Sequence, residues 1–197
     1  EMKHGKFIVK AYAAEDGLSN IRFEKNACYI YINDKDNIDF SADANDSVLN
    51  TTKFNTPANA SLTQLIMTLD SIHTDLMKEA QARKDDQQQH NDTLAFIADN
   101  NFNISNEWYN NFLIKYIDTA ASPVNALFAL SYTQDVEMDS IKNVLANLTK
   151  KFPKNSLVAG VVKQFNQYAA AQDSTSQNNN IAIGQMAPDF TLPDVDG

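Results

Sequence analysis

Few residues in this chain are able to do covalent or metal chemistry. Cys28 is the single cysteine and there are three histidines. One thiol cannot build an internal disulfide, a Cys-x-x-Cys redox pair or a thiolate zinc cluster. It alternates with Ile30 and Ile32, which puts it on one strand face with two large apolar side chains and predicts a buried, structural thiol. His73 sits beside Ile72, with no second ligand at a helical spacing, so a partly covered histidine is expected there. The clusters Asn33-Asp34-Lys35-Asp36-Asn37 and Asp43-Ala44-Asn45-Asp46-Ser47 offer oxygen ligands. They lack the glycine and the distant bidentate glutamate of a calcium loop and read as turns. No catalytic residue, metal ligand or cofactor is therefore assigned. What remains is aromatic: Trp108, Tyr109, Phe112, Leu113, Tyr116 and Ile117 recur at helical spacing. Trp108, Tyr109, Phe112 and Tyr116 form a candidate partner-binding face, suited to an unfolded polypeptide or a glycan. Such stripes are more often core than surface, and core is the expected role.

The elements that would carry these residues change period once. From Gly5 to Ala42 the pattern is twofold: Phe7, Val9 and Ala11 alternate with Ile8, Lys10 and Tyr12, and Ile21 and Phe23 with Arg22 and Glu24. Asp16-Gly17 and the polar run 33–37 separate strands at hairpin spacing, and Ile38 with Phe40 continues into a fourth, so an antiparallel meander is expected. After Asn50 the period becomes helical. Thr56-Pro57 opens a long helix with Leu62, Leu65, Ile66, Leu69, Ile72, Leu76, Met77 and Ala80 on one side. Its polar end, Gln81 to His90, is expected to project or fray. A second helix is expected from Ser105, with Ile104 and Tyr109 as a hydrophobic staple. Ser122-Pro123 opens a third, Asp135 is the expected cap of a fourth, and Asn155 or Ser156 starts a fifth that runs out at Ala171. The run from Gln172 to Asn180 has no apolar residue and reads as a linker.

The predicted fold class is α+β. A small antiparallel β-sheet or sandwich is expected over 1–50, a helical bundle over 51–172, a linker over 173–182 and a separate segment over 183–197. A net charge of −9 and a pI near 4.7 argue against nucleic acid or an anionic membrane surface as partner. No apolar run reaches transmembrane length.

The final segment carries a resemblance. Gly184-x-x-Ala187-Pro188-x-Phe190-x-Leu192-x-Asp194-x-Asp196-Gly197 resembles the entry of thioredoxin-fold proteins of the TlpA/ResA and peroxiredoxin-related group. Upstream, Gly5-Lys6-Phe7, the Tyr29-Ile30-Tyr31-Ile32 strand with Lys35-Asp36-Asn37-Ile38, the long polar-ended helix and Ser122-Pro123-Val124-Asn125-Ala126-Leu127-Phe128 look like the N-terminal half of Bacteroidetes-type TlpA-like thiol-disulfide oxidoreductases. The resemblance implies a non-catalytic region that positions substrate proteins for a downstream thioredoxin domain or mediates a homodimer. It implies a periplasmic or envelope location, with membrane attachment only through a lipid anchor outside this chain. The family's Cys-x-x-Cys would lie past Gly197, so no catalytic residue transfers. The resemblance also draws attention to the triplets Asp46-Ser47-Val48, Asp70-Ser71-Ile72, Asp92-Thr93-Leu94 and Asp139-Ser140-Ile141 as an O-glycan acceptor pattern. The competing reading is a stand-alone envelope module binding a glycan or peptide.

Overall fold

The computed structural model describes residues 8, 10, 14–22, 28–34, 37–42, 52–88 and 92–178, with backbone only at Cys28, 86–88 and 172–178. The fold is α+β. β1 (Gly17–Arg22) pairs antiparallel with β2 (Cys28–Asn33), in register from Gly17 opposite Asn33 to Arg22 opposite Cys28. β3 (Phe40–Ser41) pairs with β4 (Lys53–Phe54) in a separate ladder, Phe40 facing Phe54. The expected single meander is thus two short ladders, and the second closes beyond Asn50.

The reason lies on the outer edge of β2. The Ile32 N–H donates to Asn59 Oδ1 at 2.6 Å, and Asn59 Nδ2 donates to the Ile32 carbonyl at 2.9 Å. A side-chain amide from the first helix therefore occupies the place a third strand would take. The ladders meet instead through rings: Tyr29 stands edge-on to Phe40 at 4.8 Å, and Phe40 lies 5.2 Å from Phe54. Ile30 and Ile32 share a strand face, yet Ile30 is 40% exposed while Ile32 is fully buried against Leu62 and Val124. Cover by the helices, not alternation, decides which apolar residue is inside. The expected strand at Phe7 to Ala11 lies outside the described residues apart from Ile8 and Lys10, which are not in a strand. Phe23, Glu24, the turn residues 43–47, the triplet at Asp46 and the Cys28 side chain also lie outside them.

Five helices follow among the described residues: α1 (Pro57–Gln88), α2 (Asp92–Thr119), α3 (Pro123–Leu130), α4 (Met138–Lys151) and α5 (Ser156–Asn178). α3 begins as its sequence predicts, with Pro123 in the first turn and the Ser122 hydroxyl accepting from the Asn125 N–H at 3.4 Å. Asn155 caps α5 by accepting from the Val158 N–H at 3.0 Å. The Glu15 carboxylate reaches the same helix end, accepting from both the Ser156 N–H and its hydroxyl. This ties the segment before β1 to the last helix. The main core gathers Leu65 and Leu69 of α1, Leu113 and Ile117 of α2, Ala126 and Ala129 of α3, the Ile141, Val144, Leu145 and Leu148 face of α4, and Val158 of α5.

Three expectations about helix ends are corrected. α2 starts at Asp92, so Ser105 is no cap; its hydroxyl donates to Glu79 Oε1 at 3.0 Å in mid-helix, and Ile104 is exposed. Before Ser105 the helix meets α1 through Asp99, which pairs with Arg83. Asp135 does not cap α4: Glu137 holds that position without a side-chain bond, while the Asp135 carbonyl accepts from Asn110 Nδ2 at 3.4 Å. α5 runs to Asn178, so 173–178 is helix rather than linker, an extension that propagation from a formed helix sustains without apolar contacts. Residues 179–182 of that linker and the segment 183–197 lie outside the described residues.

Candidate functional site: a projecting helical arm

α1 and α2 form an antiparallel hairpin. At its base the Ser61 and Tyr116 hydroxyls share a hydrogen bond of 2.9 Å. Further out, Glu79 meets Ser105, and Arg83 pairs with Asp99 while its guanidinium lies 5.7 Å from the centre of the Phe102 ring. Neither α1 nor α2 contains Pro or Gly between residues 58 and 119, so nothing interrupts either ladder. At 1.5 Å per residue α1 is about 48 Å long, and about 29 Å of it lies beyond Leu69.

The last buried residue of α1 is Leu69 and the first of α2 is Leu113; among the described residues between them none is buried. The outer hairpin is therefore an arm without a fully buried residue, in which half-buried Ile72, Leu76 and Phe102 accompany the polar and cation–π contacts. Charge pairs of this exposure contribute about 0–1 kcal/mol each, and Lys78–Asp75, on one helix, does no more. The arm is nevertheless not polar on its outer side. Phe96, Ile97, Ile104 and Trp108 are 74, 49, 58 and 57% exposed. Ile97, Ile104 and Trp108 are spaced by seven and four and share one face of α2, with Phe96 beside it. Met77 of α1 is exposed as well.

The four aromatic residues singled out from the sequence are divided by the fold. Trp108 stands outside the core, stacked on Phe112 with ring centres 5.9 Å apart and planes at 16°. Phe112 continues to Tyr116 at 6.2 Å. Phe112, Tyr109 and Tyr116 are half-buried and pack on the main core. The core role expected for the stripe thus holds for three residues and fails for Trp108, because the neighbouring Tyr109 points to the core and Trp108, about 100° round the helix from it, does not. The signal missed in the sequence was Phe96 and Ile97, with Ile104 assigned instead to a staple; the spacing of Ile97 and Ile104 to Trp108 marks the shared face.

Burial holds the Tyr109 phenol above its ordinary value of 10.0, with the nearby Tyr132 and Asp135 acting in the same direction. Burial also raises Tyr116, against the pull of its hydrogen bond with Ser61. Both stay neutral at physiological pH; neither is poised for proton transfer. His73 is exposed, and no group of three His, Cys, Asp or Glu side chains able to hold a metal gathers among the described residues. An open groove of about 560 Å³ between α4 and α5, lined by Ala159, Val162 and Ala170, has Lys163 as its one charged lining residue. Among the described residues no helix is long and apolar enough to cross a membrane. The triplets at Asp70, Asp92 and Asp139 lie in α1, α2 and α4. No family model, curated protein or solved structure matches the chain.

Proposed function

We propose that this chain is a non-catalytic docking region of a cell-envelope thiol-disulfide oxidoreductase, working beside a thioredoxin domain that carries the redox pair. The observation that carries the docking role is the arm: about 29 Å of helical hairpin with an exposed apolar edge ending in Trp108. An apolar surface of this kind on a soluble protein marks an interaction site. The order of elements, resembling the N-terminal half of TlpA-like oxidoreductases, supplies the redox context and the periplasmic location. Disulfide exchange proceeds by thiolate attack, which needs a cysteine of lowered pKa and a second one to resolve the mixed disulfide. With Cys28 alone this region would supply surface and geometry, and the thioredoxin domain the chemistry.

The test is the gene downstream of Gly197, followed by activity. A Cys-x-x-Cys in frame supports the reading, and a stop codon there sinks it. In the full-length protein, Trp108→Ala should lower turnover of a protein disulfide by several-fold and leave that of a small-molecule disulfide unchanged. The exposed indole, stacked on Phe112, also favours a second reading: a stand-alone module that holds a glycan or peptide on that ring face. Quenching of Trp108 fluorescence by oligosaccharides would separate the two.

A further inference from the structure

We propose that the outer face of α2 is the seat of a second copy of this chain, two arms pairing antiparallel about a twofold axis near Asn101 and Ile104. The inference rests on the docking reading above: the partner docked on this edge is a second copy, and the loss of protein-disulfide turnover in Trp108→Ala then follows from loss of the pair.

Three observations carry it. The first is charge. The chain has a net charge of −9, yet from Thr93 to Phe112 the only charged residues are Asp99 and Glu107. Asp99 is turned to the seam by its pairing with Arg83, and the exposed Glu107 stands about 7 Å along the helix from the axis, opposite the uncharged Ala98 of the other copy. An acidic protein that docks on itself must keep carboxylates off the axis, because each would meet its own copy. The second is the margin of the stripe. Asn100, Asn101, Asn103 and Asn111 are exposed around Ile104. An amide both donates and accepts, so it can bond with its own symmetry mate, which a carboxylate or an ammonium cannot.

The third is shape and area. α2 has its backbone bonded internally along this stretch, so it offers no strand edge for an extended peptide; a straight apolar helix face takes another helix. Side chains of these types present roughly 150–250 Å² each when bare, so the exposed parts of Phe96, Ile97, Ile104 and Trp108 amount to about 450 Å². A specific interface uses about 800 Å² per partner, and the asparagine margin supplies the remainder. In an antiparallel pair with Ile97 of one copy beside Trp108 of the other, the two Asn101 side chains come within about one turn, ~5 Å, along the axis.

The experiment is sedimentation velocity of the 197-residue chain over roughly 1–200 µM, a range that brackets the affinity of an interface at the small end of specific ones. The mass should rise with concentration from 22.0 kDa toward twice that value. Ile104→Asp should weaken association at least tenfold with helicity by circular dichroism unchanged, since the position is exposed. Leu157→Asp, at an exposed site on α5, should leave association intact. Asn101→Cys, in a Cys28→Ser background, should oxidise to a covalent dimer. A monomer across the whole range overturns the proposal and leaves the arm to a different polypeptide. So does a dimer that ignores Ile104→Asp and gives no Asn101→Cys cross-link. The docking reading fails on a different result, the absence of Cys-x-x-Cys downstream, so the two failures are distinguishable.

Discussion

Asn59→Ala is the substitution that most directly tests how the β ladder is fastened to the helices. Asn59 is fully buried and makes three bonds: it accepts from the Ile32 N–H, and its Nδ2 donates to the Ile32 carbonyl and to Thr56 Oγ1 at 2.7 Å. Truncation leaves the Ile32 N–H and C=O unpaired beside a fully buried side chain, where each orphaned group costs about 1–3 kcal/mol. The expected loss is about 3 kcal/mol, a large share of the ~5–15 kcal/mol typical of a folded chain. Asn59→Asp should do no better: one oxygen still accepts from Ile32, but the other is an acceptor facing an acceptor, and a charge is buried. The assays are urea unfolding and amide exchange at Ile32. At 1.4 kcal/mol per factor of ten, exchange there should quicken by about 10². Ser61→Ala, which removes an exposed hydrogen bond to Tyr116, is the control and should cost under ~1 kcal/mol. A cost for Asn59→Ala no greater than the control, with the Ile32 amide still protected, would refute the reasoning and return the ladder's anchoring to its apolar contacts alone.

Other outcomes follow from the same structure. Leu113→Ala, at a fully buried position in the main core, should cost about 2–5 kcal/mol in urea unfolding. Asn155→Ala removes the cap of α5 and should cost about 1 kcal/mol, read by the same unfolding curve. Because burial raises Tyr109 and Tyr116 above 10.0, the fold favours their neutral forms. Their contribution is complete below pH 10 and is lost as pH climbs through the raised values; substituting either by Phe should remove tyrosinate absorbance that develops above pH 10, in step with falling stability. Loss of absorbance only from the part of the titration below pH 10 would contradict this.

Much of the framework was legible in the residues. Ser122-Pro123 at the start of α3 and Asn155 before α5 are local signals, because a cap is a contact between neighbours in sequence. The Ile141, Val144, Leu145 and Leu148 face of α4 was readable for the same reason: one side of a single helix faces one core. The start of α2 was not legible. From Asp92 to Ser105 an apolar run, Leu94 to Ala98, is followed by an asparagine-rich stretch, so no single helical stripe marks the element, and its helix runs antiparallel to α1. The extent of the first ladder was equally hidden. Alternation could not disclose that Asn59, 27 residues from Ile32, would take the edge of β2 in place of another strand.

The candidate site divides in the same way. The helical spacing of Trp108, Tyr109, Phe112 and Tyr116, the lone cysteine and the scarcity of charge from Thr93 to Phe112 are written in the residues. These follow from residue type and spacing, which no fold can change. Only the tertiary structure decided that Phe112 and Tyr116 turn toward the core while Trp108, one turn earlier, stays outside with Ile104 and Phe96. Burial depends on whether a second element arrives to cover a face, and among the described residues α3, α4 and α5 gather at the base of the hairpin, leaving its outer length to α1 and α2.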